Sequence, residues 1–406
     1  MSLPLIMTQV HSKALKRSVT VDRILGHYRG SKPGPVLVFF GGIHGNEPAG
    51  VFALHRVFEF LNSTAPEFAG EIIAITGNLS ALQLGVRYQR VDLNREWTRS
   101  NLEKIDQSAP NDLLEDQQEL MEINQILQKL TLSRKGPFYF FDLHTTSSET
   151  IPFLTVNDSL LIREFTYQYP APIILGIEEY LDGPLLSYVN ELGYVAFGFE
   201  GGQHDELASI ANRQAFIYLS MVFTGAIDKA NINYKKYHHT LAKHNRRLRS
   251  ICEIIHRHLV TCRNDFEMLP GFTNFQPIHK GQHLANCPSG PINDPKDGKI
   301  FMPLYQGKGD DGYFIIRPVP KLFMTLSAWA RHIRMDRFLP LLPGVEWANG
   351  NKDELVVDLK TARFLARPLL HLMGYRSKWM DETHLRAKNR EAASRTEEYL
   401  SSPWMN

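Results

Sequence analysis

Residues 35–61 read PVLVFFGGIHGNEPAGVFALHRVFEFL, and this stretch decides the predicted fold. A short apolar run at 35–40 precedes a glycine-rich turn, which leads into apolar residues at helical spacing over 48–61. A run that is apolar nearly throughout is typical of a strand buried on both faces. The proline at the start of the second segment favours a helix N-terminus. The stretch therefore predicts a strand, a tight turn and a helix.

The same alternation continues through the first two hundred residues. Further strands are predicted at 71–76, 138–143, 172–175 and 194–199, and further helices at 113–129 and 206–228. Short buried strands that alternate with helices predict an α/β fold with a mostly parallel, twisted sheet flanked by helices.

The character of the sequence changes twice after this region. The basic segment 227–262 is interpreted as helical, with an exposed charged face. From about residue 265, glycine, proline and aspartate recur between short apolar runs, as in a module of strands and tight turns. We therefore predict three parts: a catalytic α/β domain at 1–264, a small all-β domain at 265–326 and a helical C-terminal extension at 327–406.

Composition excludes few classes of protein but does favour a soluble one. The chain has 406 residues, 43% hydrophobic and 22% charged, with a net charge of +2, so we expect neither nucleic acid nor a membrane as a partner. No signal peptide is recognised at the N-terminus. Three cysteines, Cys252, Cys262 and Cys287, are expected to be reduced thiols in a cytoplasmic protein. The sequence leaves the oligomeric state open, and a homo-oligomer is compatible with it.

The glycine-rich turn carries His44 and Glu47, which are suitable ligands for Zn²⁺. An isolated histidine and glutamate at this spacing would more often be a packed imidazole and a helix cap. A catalytic zinc takes three protein ligands, and His144 offers the third at the end of the strand FYFFDL. Asp142 could orient an imidazole from behind. Because open α/β sheets bind ligands at the carboxyl ends of their strands, the three residues predict one site there.

Two further segments carry residues suited to hydrolysis. VRYQRVDLNREW (86–97) contains Arg87, Asn94 and Arg95, which could bind a carboxylate and stabilise an oxyanion, or form ordinary surface salt bridges. Glu200 ends the apolar strand before two glycines. It could act as a general base towards water, or merely cap the following helix.

The motifs GGIHGNE, RYQRVDLNR, DLHTTSS and FEGG, in this order, resemble the succinylglutamate desuccinylase/aspartoacylase family of zinc carboxypeptidase-like hydrolases. The resemblance implies one zinc ion and hydrolysis of an amide between a small acyl group and an amino-acid amine. It implies these roles: zinc ligands His44, Glu47 and His144; water-activating Glu200; carbonyl-polarising Arg87; and substrate-carboxylate contacts Asn94 and Arg95. Residues 183–199 lack the arginine that aspartoacylases carry before the catalytic glutamate, which argues against a dicarboxylic substrate.

The sequence is therefore compatible with three functions. The first is a zinc-dependent deacylase acting on a small N-acylated amino acid or a similar carboxylate-bearing amine. The second is a zinc metallocarboxypeptidase acting on short peptides, which would use the same metal ligands. The third is a non-catalytic zinc- or ligand-binding protein.

Overall fold

The computed structural model describes residues 7–243, 251–261, 265–362 and 366–405. Its first ten strands are β1 (Thr8–Ser12), β2 (Arg17–Val21), β3 (Ile24–Arg29), β4 (Lys32–Gly41), β5 (Ala69–Thr76), β6 (Phe138–Thr146), β7 (Phe153–Val156), β8 (Ile173–Leu175), β9 (Val195–Gln203) and β10 (Ile251–Leu259). The remaining strands are β11 (Glu267–Met268), β12 (Pro277–Ile278), β13 (His283–Cys287), β14 (Gly290–Asn293), β15 (Gly298–Phe301), β16 (Asp311–Pro318), β17 (Val345–Trp347), β18 (Glu354–Asp358), β19 (Tyr375–Trp379) and β20 (His384–Asn389). The helices are α1 (Ala49–Thr64), α2 (Leu79–Leu84), α3 (Arg99–Gln107), α4 (Glu115–Ser133), α5 (Leu160–Thr166), α6 (Leu185–Glu191), α7 (Leu207–Phe223), α8 (Tyr234–Ala242), α9 (Lys321–His332), α10 (Ala366–Leu372) and α11 (Thr396–Tyr399).

A large mixed sheet runs through the molecule. Within the described ranges, eleven strands pair in the order β12-β15-β16-β10-β8-β7-β9-β6-β4-β5-β3. The central strands β9, β6, β4 and β5 are mutually parallel. β3, β7 and β16 run antiparallel to the neighbours β5, β9 and β10. The predicted α/β class is confirmed, with a mostly parallel central sheet, and further antiparallel sheets accompany it.

Both faces of the sheet are covered by helices, which explains why its central strands are apolar throughout. Successive side chains of a strand point to opposite faces. Phe39 and Phe141 therefore pack with α1 and α7, and their rings stack at 4.6 Å. Phe40 and Phe140 belong to a second core that includes α4. The strands and helices predicted in the first two hundred residues all occur, with shifted ends.

The prediction for the basic segment 227–262 is wrong in its second half. Residues 234–242 form α8, but residues 251–259 form β10. β10 pairs with β8 on one side and with β16 on the other. Hydrogen bonding to two neighbours overrides the helical appearance of its basic residues. Residues 244–250 and 262–264 lie outside the described part of the chain.

The sequence predicts a helical C-terminal extension, and this prediction is wrong in part. In the described residues it contains α9, α10 and α11 together with an antiparallel sheet ordered β17-β18-β20-β19. Leu355, Val357, Tyr375 and Leu385 form the buried face of that sheet. These strands are three to six residues long. Their alternation of buried and exposed residues is too short to stand out from a charge-mixed helical pattern.

The predicted domain boundaries at 264/265 and 326/327 stay predictions. β12, β15 and β16, which follow the first boundary, join the same sheet as the preceding strands. Cys287 is disulfide-bonded, so the expectation of reduced thiols is wrong at this position, whereas Cys252 is a buried thiol. Among the described helices, none has the length and apolarity needed to cross a membrane.

A buried ion pair attaches α9 to the α/β domain. Arg331 lies 2.7 Å from Asp158 through Nη2 and 3.2 Å from Glu391 through Nη1. Arg163 also donates to Asp158, at 2.7 Å. Burial alone would raise the pKa of Asp158, but the two arginines hold this pKa well below its usual range. The charged cluster therefore links residues 158–163 to the C-terminal extension.

We expect Arg331→Met to destabilise the protein by about 3 kcal/mol, because it leaves the buried Asp158 with one of its two cations. Chemical denaturation of the full chain measures this change. Arg317→Met is the matched control, since Arg317 pairs with Glu253 on the surface, and its effect should stay within about 0.5 kcal/mol. Equal stabilities for the two variants would contradict a structural role for the cluster.

Candidate metal centre

Three adjacent parallel strands bring the candidate residues to one edge of the sheet. His44 lies three residues beyond the end of β4, while His144 and Glu200 lie near the carboxyl ends of β6 and β9. His144 and Glu200 are register partners across the β6–β9 pair. The arrangement follows from parallel pairing, which places the carboxyl ends of neighbouring strands side by side.

The turn after β4 depends on glycine for its shape. Gly42 has a φ angle of 77°, a left-handed conformation that residues with a Cβ atom rarely adopt. At Gly45 an added Cβ would come within 2.1 Å of the Ala81 carbonyl carbon. The backbone therefore packs against α2 more closely than any side chain would allow, and this turn places His44 and Glu47 in the interior.

The side chains of His44, Glu47 and His144 converge. His44 Nδ1 lies 2.9 Å from Glu47 Oε1, and His144 Nδ1 lies 3.2 Å from Glu47 Oε2. One ligand atom from each residue falls within 4.8 Å of the others, and all three residues are buried. Ligands around a tetrahedral Zn²⁺ are about 3.3 Å apart, given bonds of 2.0–2.1 Å. This group could therefore hold a metal ion.

The Nε2 atom of each imidazole lies within hydrogen-bond distance of a second carboxylate. His44 Nε2 lies 3.1 Å from Asp92 Oδ1, and His144 Nε2 lies 2.5 Å from Asp142 Oδ2. Metal-binding histidines usually donate their second nitrogen to such a group, which fixes the ring and the tautomer. Asp142 occupies the position suggested from the sequence. The sequence pattern does not predict a role for Asp92, although this residue stands two positions before Asn94 in the segment 86–97.

Arg87 lies beside this group. Its Nε and Nη2 donate to Asp92 Oδ2 at 3.1 and 3.0 Å, and its Nη1 lies 3.6 Å from Glu47 Oε1. Asp92 thus binds both His44 and Arg87, which fixes the position of the guanidinium relative to the imidazole. Burial alone would raise the pKa of Glu47, but His44 and His144 keep this pKa well below its usual range.

Asn94 and Arg95 also line the cavity, but each already has protein partners. Asn94 Oδ1 accepts a hydrogen bond from the Leu185 backbone N–H at 2.9 Å. Arg95 Nη2 lies 3.2 Å from Asp311 Oδ2, and Arg257 Nε lies 2.5 Å from Asp311 Oδ1. The structure therefore places both predicted residues at the site and pairs Arg95 with a carboxylate of β16.

Glu200 is buried, and its Oε2 has no hydrogen-bond partner among the described residues. Burial raises the pKa of Glu200 to about 7, an effect that the nearby His144 partly opposes. A carboxylate with a pKa near neutrality can accept a proton and release it again at physiological pH. Its place in the lining of the cavity suits this exchange.

The cavity has a volume of about 140 Å³ and two kinds of wall. The strand ends and the segment 86–97 provide polar groups, and Leu181, Leu186 and Phe314 provide apolar surface. Residues 302–311, from the predicted all-β domain, form part of the lining. Gln306 in this segment accepts a hydrogen bond from Asn46 at 2.9 Å, which connects the segment to the turn after β4.

A buried carboxylate of α4, missed in the sequence, holds the segment that carries Arg87 and Asp92. Asp116 accepts hydrogen bonds from the backbone N–H groups of Gln89, Arg90 and Val91 at 3.1, 2.7 and 3.0 Å. It also accepts one from Asn78 Nδ2 at 2.7 Å. Asp116 has no accessible surface, so its charge is balanced by these four donors.

A buried histidine–carboxylate–histidine group at the carboxyl ends of parallel strands, with a further buried glutamate, is typical of metal-dependent hydrolases. Comparison with known families agrees. Residues 33–211 match the Succinylglutamate desuccinylase/Aspartoacylase catalytic domain. Residues 33–211 are therefore similar to the catalytic domain of that family, and the resemblance found in the sequence is confirmed.

Several solved structures share the fold. The product-bound ectoine utilization protein EutE (DoeB) from Ruegeria pomeroyi matches with a TM-score of 0.52 and 17% identity, over 78% of this chain and 98% of its own. A succinylglutamate desuccinylase/aspartoacylase from Rhodobacter sphaeroides gives 0.53 and 15%, over 79% and 98%. Succinylglutamate desuccinylase from Vibrio cholerae gives 0.53 and 15%, over 79% and 92%. At such identities the likeness establishes the fold alone.

We expect Asp116→Ala to destabilise the protein by about 3 kcal/mol, because it leaves several buried N–H groups without an acceptor. Chemical denaturation measures the loss. Asp112→Ala, at an exposed position four residues earlier, is the matched control and should change stability by less than about 0.5 kcal/mol. A stable Asp116→Ala protein would mean that water replaces the carboxylate.

Proposed function

We propose that this protein is a zinc-dependent deacylase that hydrolyses the amide bond of a small N-acylated amino acid or a similar carboxylate-bearing amine. The convergence of His44, Glu47 and His144 beside the buried Glu200 carries this proposal. The catalytic-domain family supports hydrolysis of an acyl group. The presence of both Glu200 and Arg87 at the site favours an enzyme over a non-catalytic metal-binding protein.

The donor set fits zinc. Two imidazole nitrogens and one carboxylate oxygen form a ligand set that Zn²⁺ accepts in catalytic sites. Each histidine also has a supporting carboxylate at its second nitrogen, as metal-binding histidines usually do. When bound, the ion supplies Lewis-acid polarisation of the scissile carbonyl and makes water nucleophilic at neutral pH. Other divalent ions also accept such a set, so the choice of zinc rests on the family together with this preference.

The chain's own residues supply proton transfer and charge stabilisation. Glu200 accepts a proton from the attacking water through its unpartnered oxygen and then gives this proton to the leaving amine. Arg87, oriented by Asp92, directs Nη1 towards the ligand group and stabilises negative charge on the substrate's carbonyl oxygen. The apolar wall excludes water from the reacting bond and strengthens these interactions.

Substrate size and charge are the finer part of the proposal. Residues 302–311 narrow the cavity, which favours a small acylated amine over the peptide that a metallocarboxypeptidase would take. We assign Asn94 and Arg95 to a substrate carboxylate. Such a carboxylate would take the place of Asp311 at Arg95 Nη2.

The cytoplasmic location stays a prediction from composition, and the disulfide at Cys287 counts against it because cytoplasmic disulfides are rare. The absence of a nucleic-acid partner likewise rests on the net charge of +2.

We expect the purified protein to bind one equivalent of zinc. A chelator should abolish hydrolysis and lower the melting temperature, because a ligand bound only to the folded state stabilises it. His144→Ala should lose the metal, whereas His279→Ala, at an exposed position, should keep it. Elemental analysis with thermal denaturation measures both effects. A His144→Ala protein that retains stoichiometric zinc would contradict the site.

We expect Glu200→Gln to keep the zinc but to lower kcat for a panel of N-acyl amino acids by roughly 10²–10⁴-fold, the usual contribution of a general base. Glu206→Gln, six residues further along the chain, is the control and should retain activity. Short peptides tested beside the panel separate the deacylase from the carboxypeptidase. A Glu200→Gln enzyme as fast as the wild type would remove this residue from the mechanism.

A further inference from the structure

A second cavity lies between the α/β domain and the C-terminal extension, and has a volume of about 70 Å³. Its lining includes Asn157, Glu178 and Ser187 from the domain, and Arg376 and Lys388 from the extension. We call it the extension cavity. Asn157 and Ser187 also line the cavity at the metal centre, and Asn157 Nδ2 donates to Ser187 Oγ at 3.4 Å. This pair of side chains therefore separates two neighbouring cavities.

Arg376 brings to the extension cavity a guanidinium group that has few partners. Its side chain is 15% exposed, and among the described residues its one side-chain hydrogen bond joins Nη2 to the Leu181 carbonyl at 3.3 Å. Its Nε is buried without an acceptor. By contrast, Arg331 and Arg390 of the same extension make five and three side-chain hydrogen bonds. A guanidinium has five N–H donors, so most of those of Arg376 are unused.

A second cation lies beside Arg376. Arg376 and Lys388 are register partners across the antiparallel pair β19–β20, so their side chains project from the same face of that sheet. Like charges directly opposite each other destabilise a strand pair. The carboxylate that the two cations share is Glu191, with oxygens 3.9 Å from Arg376 Nη1 and 3.7 Å from Lys388 Nζ. Both distances exceed hydrogen-bond length, so the two cations are incompletely neutralised.

The other charges near the extension cavity are paired among themselves. Asp182 lies 3.8 Å from Arg376 Nη2, but it is 71% exposed and bound to Lys378. Glu178 and Arg390 also line the cavity, and they bind each other at 2.8 Å, so their charges cancel. The two opposed cations and their one shared carboxylate therefore leave a single positive charge in the lining.

We propose that the extension cavity binds the carboxylate group of a small organic acid between Arg376 and Lys388. A guanidinium group binds a carboxylate through paired hydrogen bonds, and an anion between the two cations relieves their repulsion. The volume of about 70 Å³ accommodates a carboxylate with one or two carbon atoms, since a water molecule occupies about 30 Å³. Asn157 and Ser187 add neutral hydrogen-bonding groups to the lining.

Such a carboxylate has two chemical sources. One is a free short-chain acid, such as the acid that hydrolysis of an amide releases. The other is the far end of a substrate that reaches past Asn157 and Ser187 from the cavity at the metal centre. The site itself rests on the lining alone, whereas the second source also rests on the proposed function.

Calorimetric titration of the full chain with propionate tests the site. We expect a dissociation constant on the order of 1 mM, as suits so few atoms, and no binding of propionamide, which has the same shape without the charge. Arg376→Met and Lys388→Met should each weaken binding roughly 10-fold or more, the usual scale for a hydrogen bond to a charged group. Arg386→Met, at an exposed position on β20, is the matched control and should leave binding unchanged.

N-succinyl and N-butyryl derivatives of one amino acid distinguish the two sources. If the far end of a substrate occupies the cavity, Arg376→Met should raise KM roughly 10-fold for the succinyl compound alone and leave kcat unchanged for both compounds. If a free acid occupies the cavity, Arg376→Met should leave all four constants unchanged and weaken only the binding of propionate. Either result supports the site.

Circular dichroism establishes that each variant is folded, and Lys388→Met, whose side chain is 36% exposed, decides the test if Arg376→Met does not fold. The proposal is overturned if propionate does not bind, or binds both variants as tightly as the wild type, while KM for the succinyl compound is also unchanged. A wild type that hydrolyses neither compound would contradict the proposed function, and the propionate titration would then decide the site by itself.

Discussion

The site is organised around one buried carboxylate, Glu47. Its two oxygens face the Nδ1 atoms of His44 and His144, and Oε2 also accepts the Thr145 backbone N–H at 2.7 Å. A carboxylate without such partners would be costly to bury, because desolvation of an unpaired charge amounts to several kcal/mol. Glu47 is therefore stable only where these groups converge on it, and the glycine turn and the parallel strand ends meet that requirement together.

Contacts around this centre explain how distant parts of the chain form one cavity. Asp92 fixes His44 and Arg87 together, and Asp116 in turn holds the backbone that carries both Arg87 and Asp92. On the opposite side the large sheet continues into β16, which brings Asp311 to Arg95. The cavity thus depends on a sheet that spans the predicted boundary between the catalytic and all-β parts.

A buried ion pair determines how the C-terminal extension is oriented. Arg331 is buried because it pairs with Asp158 and Glu391, and this pairing turns the polar side of α9 inwards. Leu322, Leu326 and Trp329, on the other side of α9, are exposed as a consequence of that anchoring. A single buried ion pair thereby fixes both the attachment of the extension and the rotation of α9.

The sequence by itself determined the central strands and the residues at their ends. Continuous apolar runs such as 35–40 and 138–143 can be satisfied only inside a sheet, and His44, Glu47, His144 and Glu200 stand where those runs stop. Only the tertiary structure decided the roles of Asp92 and Asp116. His44 lies 48 residues from Asp92, and the backbone N–H groups that Asp116 binds lie 25–27 residues from it. It also decided β10, whose basic residues resemble an exposed helix until two neighbouring strands pair with it. The local sequence pattern determines which side chains of a segment must be buried. Which strands and side chains pair with one another depends on contacts that form only when distant segments meet.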